Sequence, residues 1–191
     1  RRDPRALAAG GAVAALGAFC SWLLLAIPAY AALLVWQRDG PRRAVQVALA
    51  AGVAVVALNG ALWLAAGYDP FAALRATDSF YRNGVATTRP YAFWVLGSPA
   101  AWALMLGLPL AWGSLRAAER GDEGARALWL LIALGSVIGL TKAETERIWL
   151  PFAPLACVAA AAAVPAGRLR PMLLLLASQA IVVELLFFTV W

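Results

Sequence analysis

The segment AVQVALAAGVAVVALNGALWLAAG, residues Ala44–Gly67, determines the class of this protein. It contains no charged residue, and it lies between RDGPRR on one side and Tyr68-Asp69-Pro70 on the other. About 20 predominantly apolar residues allow an α-helix to cross the ~30 Å hydrocarbon layer of a bilayer. The segment therefore predicts one complete transmembrane helix.

The composition of the whole chain agrees with this interpretation. Of its 191 residues, 63% are hydrophobic and only 14% are charged, whereas soluble domains are about half apolar and about a quarter charged. We predict an all-α polytopic transmembrane helix bundle of about six helical segments. It would form a single transmembrane domain over residues 1–191, located in the cell membrane as a multi-pass protein.

The charge pattern limits the possible partners. Lys and Arg number 16 against 10 Asp and Glu, and the arginines are scattered rather than clustered in one run. In a membrane protein this pattern favours membrane lipids or phosphate groups over nucleic acid. Two cysteines and no histidine exclude the usual zinc spacings, and the sequence identifies no cofactor.

The first apolar segment, Ala6–Trp36, has an unusual length. Its 31 residues are too many for one upright helix and too few for two full spans. One alternative is a single long tilted helix over Val13–Trp36. The other is a hairpin of two short helices, Ala6–Ala18 and Trp22–Trp36. Glycine, serine and proline within the segment offer places for such a break.

Four further apolar segments are expected after the first polar loop: Ala92–Leu115, Ala127–Leu140, Ile148–Val164 and Met172–Trp191. We expect Pro99 and Pro109 to kink the first of these and Pro154 to bend the third. The second has only 14 residues, about 21 Å of helix, so the residues that follow it should lie below the membrane surface.

The segment Tyr68–Tyr91 is the main polar stretch. Within it, AALRATDSFYRN predicts a short amphipathic helix that lies on the membrane with its apolar side chains. The pair Asn83-Gly84 predicts a turn at its end.

The distribution of Lys and Arg predicts the orientation, because cytoplasmic loops carry the excess. Loops 37–43, 116–126 and 168–171 carry eight basic residues, against five in loops 68–91 and 141–149. We therefore place the last two loops on the extracytoplasmic side. The N-terminal arginines favour the hairpin. With the hairpin, eleven basic residues lie on the cytoplasmic side and five on the other, whereas a single first helix gives eight on each side.

The segment TKAETERIWLPFAP, residues 141–154, carries the strongest candidate site. Lys142, Glu144, Glu146 and Arg147 lie within six residues, between two apolar segments. On a helix these charges could neutralise one another in pairs three or four residues apart, as in a solvated loop. Alternatively, the lysine and the arginine bind an anionic headgroup while a carboxylate orients a hydroxyl, because arginine suits bidentate phosphate binding and lysine acts as a point charge.

The loop 68–91 supplies further candidates on the same predicted side. Arginine beside tyrosine can hold phosphate and sugar together, although interfacial anchoring explains the pattern equally well. The substrate-binding candidates here are Tyr81, Arg82, Arg89 and Tyr91. Asp69 and Asp78 are the only carboxylates of the loop and hence its candidate bases.

The order of these features resembles the C-terminal half of bacterial GT-C-type integral membrane glycosyltransferases that use polyprenyl-phosphate sugars. The resemblance lies in AGGAVAALGAFCSWLLLAIPA, in RNGVATTRPYAFWVLGSPAAWALMLGLP and above all in LTKAETERIWLPFAP. Related sequences carry a segment close to SKGEVERIWLPF, and only the ERIWLPF part is specific. The chain departs from the pattern at Gly97-Ser98, where an asparagine is expected.

The resemblance implies transfer of a sugar from a polyprenyl-phosphate lipid carrier on the extracytoplasmic face. In that fold the catalytic acidic residue lies in the first extracytoplasmic loop, which this chain does not contain. The chain begins at Arg1 without a signal peptide pattern, and we interpret it as the C-terminal part of a longer protein that works with its N-terminal part. Glu144 and Glu146 are then expected to bind substrate, and Lys142 and Arg147 to neutralise the departing phosphate.

Two other functions remain open from the sequence. A lipid-carrier flippase or transporter could use the same charged residues without breaking a bond, but it would need polar residues along the spans. A non-catalytic membrane subunit that holds a partner would not need the charged cluster. Asn59, Gln179 and Glu184 are the main polar residues at depth.

Overall fold

The computed structural model of the chain describes residues 3–139 and 148–186, and all regular structure in these residues is helical. The described helices are α1 Pro4–Cys20, α2 Ala26–Asp39, α3 Pro41–Ala66, α4 Pro70–Asn83, α5 Tyr91–Leu106, α6 Leu108–Glu119, α7 Glu123–Ile138, α8 Ala153–Ala163 and α9 Leu169–Leu186. The predicted all-α class is confirmed, whereas the number of about six segments is not. The chain divides into two compact units, Arg1–Pro90 and Tyr91–Trp191, and the single domain stays a prediction.

The first apolar segment is interrupted, as the hairpin alternative requires. Helix α1 ends at Cys20, and Ser21 adopts an extended backbone with φ −161° and ψ 127°. A 3-10 turn over Trp22–Leu25 then leads into α2. A continuous helix over Val13–Trp36 is therefore wrong, because the extended residue leaves the i to i−4 hydrogen-bond ladder.

Helices α1 and α3 run parallel. A Cβ added to Gly11 would stand 2.7 Å from the carbonyl oxygen of Ala50, so the two backbones touch near their middles. At their ends, the rings of Phe19 and Tyr68 are 6.0 Å apart. A single residue, Gly40 with φ +88°, joins α2 to α3 and reverses the chain. The beginnings of α1 and α3 and the end of α2 consequently lie at one end of this unit.

Helix α3 contains the predicted span and ends at a glycine. Its 26 residues rise about 39 Å, and Gly67 closes it in the left-handed conformation with φ +67°. Asp69 then caps α4 by accepting hydrogen bonds from the backbone N–H groups of Phe71 and Ala72, at 2.8 and 3.0 Å. The predicted amphipathic helix is confirmed as α4, and it ends at Asn83 before Gly84.

In the second unit, the expected span Ala92–Leu115 is broken rather than kinked. The chain bends by 112° between α5 and α6. Pro99 lies within α5, whereas the break falls at Gly107, which has φ +100° and directly precedes α6. Pro109 lies in the first turn of α6, where its missing N–H is tolerated. A glycine that adopts a positive φ, followed by a proline that cannot continue a helix, explains why the chain breaks here.

The side chain of Gln179 from α9 fills this break. Its Oε1 accepts a hydrogen bond from the backbone N–H of Leu108 at 2.8 Å, and its Nε2 donates to the carbonyl of Leu104 at 2.7 Å. In an unbroken α-helix these two backbone groups would bond to each other, since they are four residues apart. Gly107 also gives α9 room, because a Cβ there would stand 2.3 Å from Cδ2 of Leu176.

The remaining helices of this unit differ from the expected bounds. Helix α7 begins at Glu123 rather than at Ala127, because Asp122 accepts a hydrogen bond from the N–H of Ala125 at 2.7 Å and caps it. The prediction of one continuous helix over Ile148–Val164 is wrong. A 3-10 turn over Leu150–Phe152 precedes α8, which has only 11 residues.

The predicted bend at Pro154 is absent, because the helix begins only one residue before it. Pro154 lies in the first turn of α8, where proline needs no partner for its nitrogen.

Two arginines bind carbonyls at the C-terminal ends of α8 and α6. Arg120 donates to the last carbonyl of α8 at Ala163, and Arg126 donates to Ala118 near the end of α6, at 3.0 and 2.9 Å.

Among the described residues, two helical stretches are long and apolar enough to cross a membrane, namely Pro41–Ala66 and Ala166–Leu186. The bent pair Tyr91–Leu106 and Leu108–Glu119 is a third if it counts as one span. The helices Pro4–Cys20 and Leu150–Ala163 are apolar but shorter. These lengths and compositions support a membrane protein.

Replacement of Gln179 by leucine is expected to destabilise the second unit. It leaves the N–H of Leu108 without its partner, which costs about 1–3 kcal/mol, and it leaves the carbonyl of Leu104 with only the N–H of Gly107 at 3.3 Å. Thermal unfolding of the full chain in detergent measures the loss. Gln46→Leu is the matched control, because Gln46 is exposed on α3 and makes no side-chain hydrogen bond within the described residues. Equal stability of the two variants would contradict the bridging role.

Candidate functional site

The charged cluster itself lies outside the described residues. Lys142, Glu144, Glu146 and Arg147 all fall between 140 and 147, so their predicted roles stay predictions. The residues on both sides of this segment are described, and they show how its two ends are held.

Tyr91 holds the first end. Its hydroxyl donates a hydrogen bond to the carbonyl of Val137 in the last turn of α7, where helix carbonyls lack a partner within the helix. Helix α7 closes at Gly139, in the left-handed conformation with φ +68°. A Cβ at that glycine would stand 2.6 Å from Cε2 of the tyrosine ring. Ring and glycine therefore pack directly against each other, immediately before residue 140.

Trp149 holds the second end. It is buried, with 3% of its surface exposed, and its carbonyl accepts a hydrogen bond from Nε1 of Trp102 at 3.2 Å. Its ring lies beside α7, since a Cβ at Gly135 would be 3.8 Å from its Cζ2. Because Gly135 lies one turn before Gly139, both ends of the segment meet α7 near its C-terminal end.

Three tryptophans form the apolar base of this region. The ring of Trp102 lies 5.9 Å from that of Trp129 and 6.3 Å from that of Trp149, both edge to face. Such contacts stabilise beyond the area that they bury. The buried Nε1 of Trp129 has no hydrogen-bond partner among residues 3–139 and 148–186. The residue that follows the charged segment closely, Trp149, thus belongs to a packed aromatic cluster formed by α5, α7 and the residues before α8.

In the first unit, the candidate Arg82 is paired within its own helix. Its Nε lies 2.8 Å from both carboxylate oxygens of Asp78, one turn earlier in α4. This hydrogen bond, and then the charge of Asp78, raise the pKa of Arg82 above its usual value. Both groups are exposed to solvent, so the pair is weak. A phosphate that binds Arg82 would have to compete with the carboxylate.

The two candidate bases of the loop have structural contacts in this fold. Asp69 caps α4, and its second oxygen lies 4.0 Å from the guanidinium of Arg75. Asp78 is engaged by Arg82. Both carboxylates are therefore engaged by contacts within α4 and the residue before it.

The uncharged and charged side chains of α4 lie on neighbouring strips. Leu74, Thr77 and Tyr81 follow one strip at helical spacing, and Arg75, Asp78 and Arg82 follow the next. Phe71 and Phe80 are 67% and 85% exposed. A short helix with such exposed aromatic groups beside charges is typical of segments that lie in the membrane interface.

The loop candidates are divided between the two units. Tyr81, Arg82 and Arg89 belong to the first unit, and Tyr91 belongs to the second. Only Tyr91 is brought to the charged segment within one unit. The placement of loops 68–91 and 141–149 on one face stays a prediction.

The sequence did not identify the roles of Trp102 and Gly139 next to the charged segment, nor that of Gln179 at the break between α5 and α6. Tryptophans near span ends are usually membrane anchors, which hid the buried role of Trp102. A glycine after an apolar helix is a general sign of a C-terminal cap, and here it could have indicated the end of α7. Nothing in the sequence indicates that Gln179 completes the break between α5 and α6.

Among the described residues, no group of three or more Asp, Glu or Cys side chains lies close enough to hold a metal ion. A comparison of the chain with protein families, with curated proteins and with solved structures finds no match. The function is therefore inferred from the residues and their geometry.

Gly139→Ala is expected to disturb the start of the charged segment. A side chain at positive φ costs about 1–2 kcal/mol, and the contact with the Tyr91 ring adds roughly another 1–3 kcal/mol from overpacking. Gly67→Ala is the matched control, because it has the same backbone conformation but meets nothing within 4 Å. Thermal unfolding of both variants in the full chain measures the difference. Equal losses would show that the ring does not constrain Gly139.

Proposed function

We propose that the chain is part of a membrane glycosyltransferase that moves a sugar from a polyprenyl-phosphate carrier to an extracytoplasmic acceptor hydroxyl. The contact of Tyr91 with Val137 and Gly139 is the observation that carries the proposal. It joins the end of the RPY loop to the end of α7, directly before the segment TKAETERIWLPF, and the resemblance to GT-C-type enzymes rests largely on these two stretches.

In this proposal the charged segment holds the phosphate of the carrier. Lys142 and Arg147 neutralise the charge that develops on the departing phosphate, which lowers the barrier to sugar transfer. Glu144 and Glu146 orient hydroxyl groups of the substrate by accepting hydrogen bonds. Asp69 and Asp78 are engaged in α4, so the proposal assigns neither of them the deprotonation of the acceptor.

The aromatic packing next to the segment supports this assignment. Trp149, two residues after Arg147, is buried and its ring lies 6.3 Å from that of Trp102, and electrostatic interactions are stronger in apolar surroundings than in water. The hydroxyl of Tyr91 is engaged by Val137, so the exposed edge of its ring remains available to a sugar. Arg89 and Tyr81 would contribute from the preceding loop, and Arg82 after it leaves Asp78.

A lipid-carrier flippase or transporter is less consistent with the described polar residues. Transport of a charged headgroup needs polar groups along the path. The amide of Asn59 donates to Val55 of its own helix at 2.8 Å, and Gln179 bonds to the backbone at the break. Two of the three polar residues at depth thus have structural roles.

Lys142→Ala and Arg147→Ala, each made in the full-length protein, are expected to abolish sugar transfer without loss of folding. Removal of one charged donor from a preorganised site costs roughly 10²–10³ in rate. The measurement is transfer of radiolabelled sugar from a polyprenyl-phosphate donor in reconstituted vesicles.

Arg168→Ala is the control for this experiment, because it removes one positive charge from the loop predicted on the other side of the membrane. It should leave transfer unchanged. Normal transfer by both Lys142→Ala and Arg147→Ala would contradict the proposed phosphate-binding role.

The predicted orientation can be tested with single cysteines in a background of Cys20→Ala and Cys157→Ala. Ala143→Cys and Ala86→Cys are expected to react with a membrane-impermeant thiol reagent added from the extracytoplasmic side. Gly167→Cys should react only after the membrane is opened, because it borders the loop predicted in the cytoplasm. Labelling of Ala143→Cys and Ala86→Cys from opposite sides would contradict a site shared by the two loops.

A further inference from the structure

The first unit contains an apolar groove between α1, α2 and α3. Its volume is about 520 Å³, within the ~300–1,000 Å³ typical of pockets that hold small ligands. Mostly small residues of α1 and α3 form two of its walls. Larger apolar side chains form the third, namely Leu24 of the 3-10 turn and Ile27 and Pro28 at the start of α2.

Small residues give this groove its shape. Gly11 lets α1 touch α3 at Ala50, which closes the base of the groove. The neighbouring Gly10 lines the groove, and a Cβ added to it would meet nothing within 4 Å. Val13 also lines the groove yet is 70% exposed. The groove is therefore open along one side, toward the hydrocarbon that would surround a membrane helix.

One end of the groove carries positive charge. Leu7 and Val47 line it, and Arg5 and Arg43 precede them by less than two turns on parallel helices. Arg5, Arg42 and Arg43 form no ion pair within residues 3–139 and 148–186.

The N-terminus of α3 lies at the same end and has no side-chain cap. Its first backbone N–H groups and the helix dipole favour an anion. Of the two carboxylates nearby, Asp3 already accepts a hydrogen bond from the N–H of Arg5 at 2.9 Å. Asp39 is the other, at the end of α2. The arginines at this end, which include Arg38, outnumber the carboxylates by four to two.

We propose that this groove binds an anionic phospholipid. An acyl chain lies between α1, α2 and α3, and the phosphate group lies at Arg42, Arg43 and Arg5. A groove that is apolar along its length and cationic at one end matches an amphiphile with a negative head. A soluble phosphate would not fill the apolar part, and a zwitterionic lipid would leave the positive end unmatched.

This lipid is distinct from the sugar carrier of the proposed function. Its headgroup site lies at the start of α3, whereas the loop 68–91 follows the end of α3, about 39 Å away along the helix. In the predicted orientation the arginines face the cytoplasmic leaflet, in which anionic lipids are attractive partners for basic residues.

Native mass spectrometry of the full chain in detergent tests the proposal. The protein is titrated with phosphatidylglycerol or with phosphatidylcholine that carries the same acyl chains. Phosphatidylglycerol is expected to bind about tenfold more tightly or better. The double variant Arg42→Gln, Arg43→Gln should remove most of this preference. Gly10→Leu, which fills the groove, should weaken phosphatidylglycerol binding several-fold.

Matched controls separate these effects from general changes in charge or fold. The double variant Arg168→Gln, Arg170→Gln removes the same charge from the second unit and should bind normally. Gly60→Leu makes the same substitution on α3 where a Cβ meets nothing within 4 Å, and it should also bind normally. Ala31→Leu on the α2 wall is a second groove-filling variant if Gly10→Leu does not fold.

Several outcomes would overturn the proposal. Equal binding of phosphatidylcholine would show that the arginines do not select the headgroup. Displacement of phosphatidylglycerol by inorganic phosphate would show a site for a soluble anion, and preferential binding of a polyprenyl phosphate would identify the sugar carrier as the occupant. Normal binding by both groove-filling variants would exclude the acyl chain from the groove.

Discussion

The break between α5 and α6 shows the constraint on which this structure depends, namely that backbone polar groups in apolar surroundings must find partners within the protein. A bend of 112° separates the N–H of Leu108 from the carbonyl of Leu104. In hydrocarbon each unpaired group of this kind costs several kcal/mol. The amide of Gln179 satisfies both, so one side chain of α9 permits the bend and attaches α9 to it.

The same constraint explains how the charged segment is held. The carbonyl of Val137 at the end of α7 receives the hydroxyl of Tyr91, and the carbonyl of Trp149 receives the indole N–H of Trp102. Both donors come from α5. Two side-chain donors of one helix thus bind backbone carbonyls on both sides of residues 140–147.

Small residues have the complementary role in the first unit. Gly11 brings α1 against α3, while Gly10 on the next position leaves space. Between lipid-facing helices there is little hydrophobic driving force, so close packing of small residues carries much of the association. A bundle held in this way leaves grooves where a neighbouring side chain is missing. The groove beside Arg42 and Arg43 is of this kind, which links the packing of the helices to the proposed lipid site.

The sequence by itself determined the helical class, the long apolar helix α3, the amphipathic helix α4 and the presence of a charged cluster between apolar segments. These features follow from local composition and from spacing along one helix. Only the tertiary structure decided that the chain breaks at Ser21 and at Gly107, and that Tyr91 meets Gly139. The reason is that the partners are far apart in sequence. Gln179 completes a bond 71 residues away from Leu108, and no local pattern contains that information.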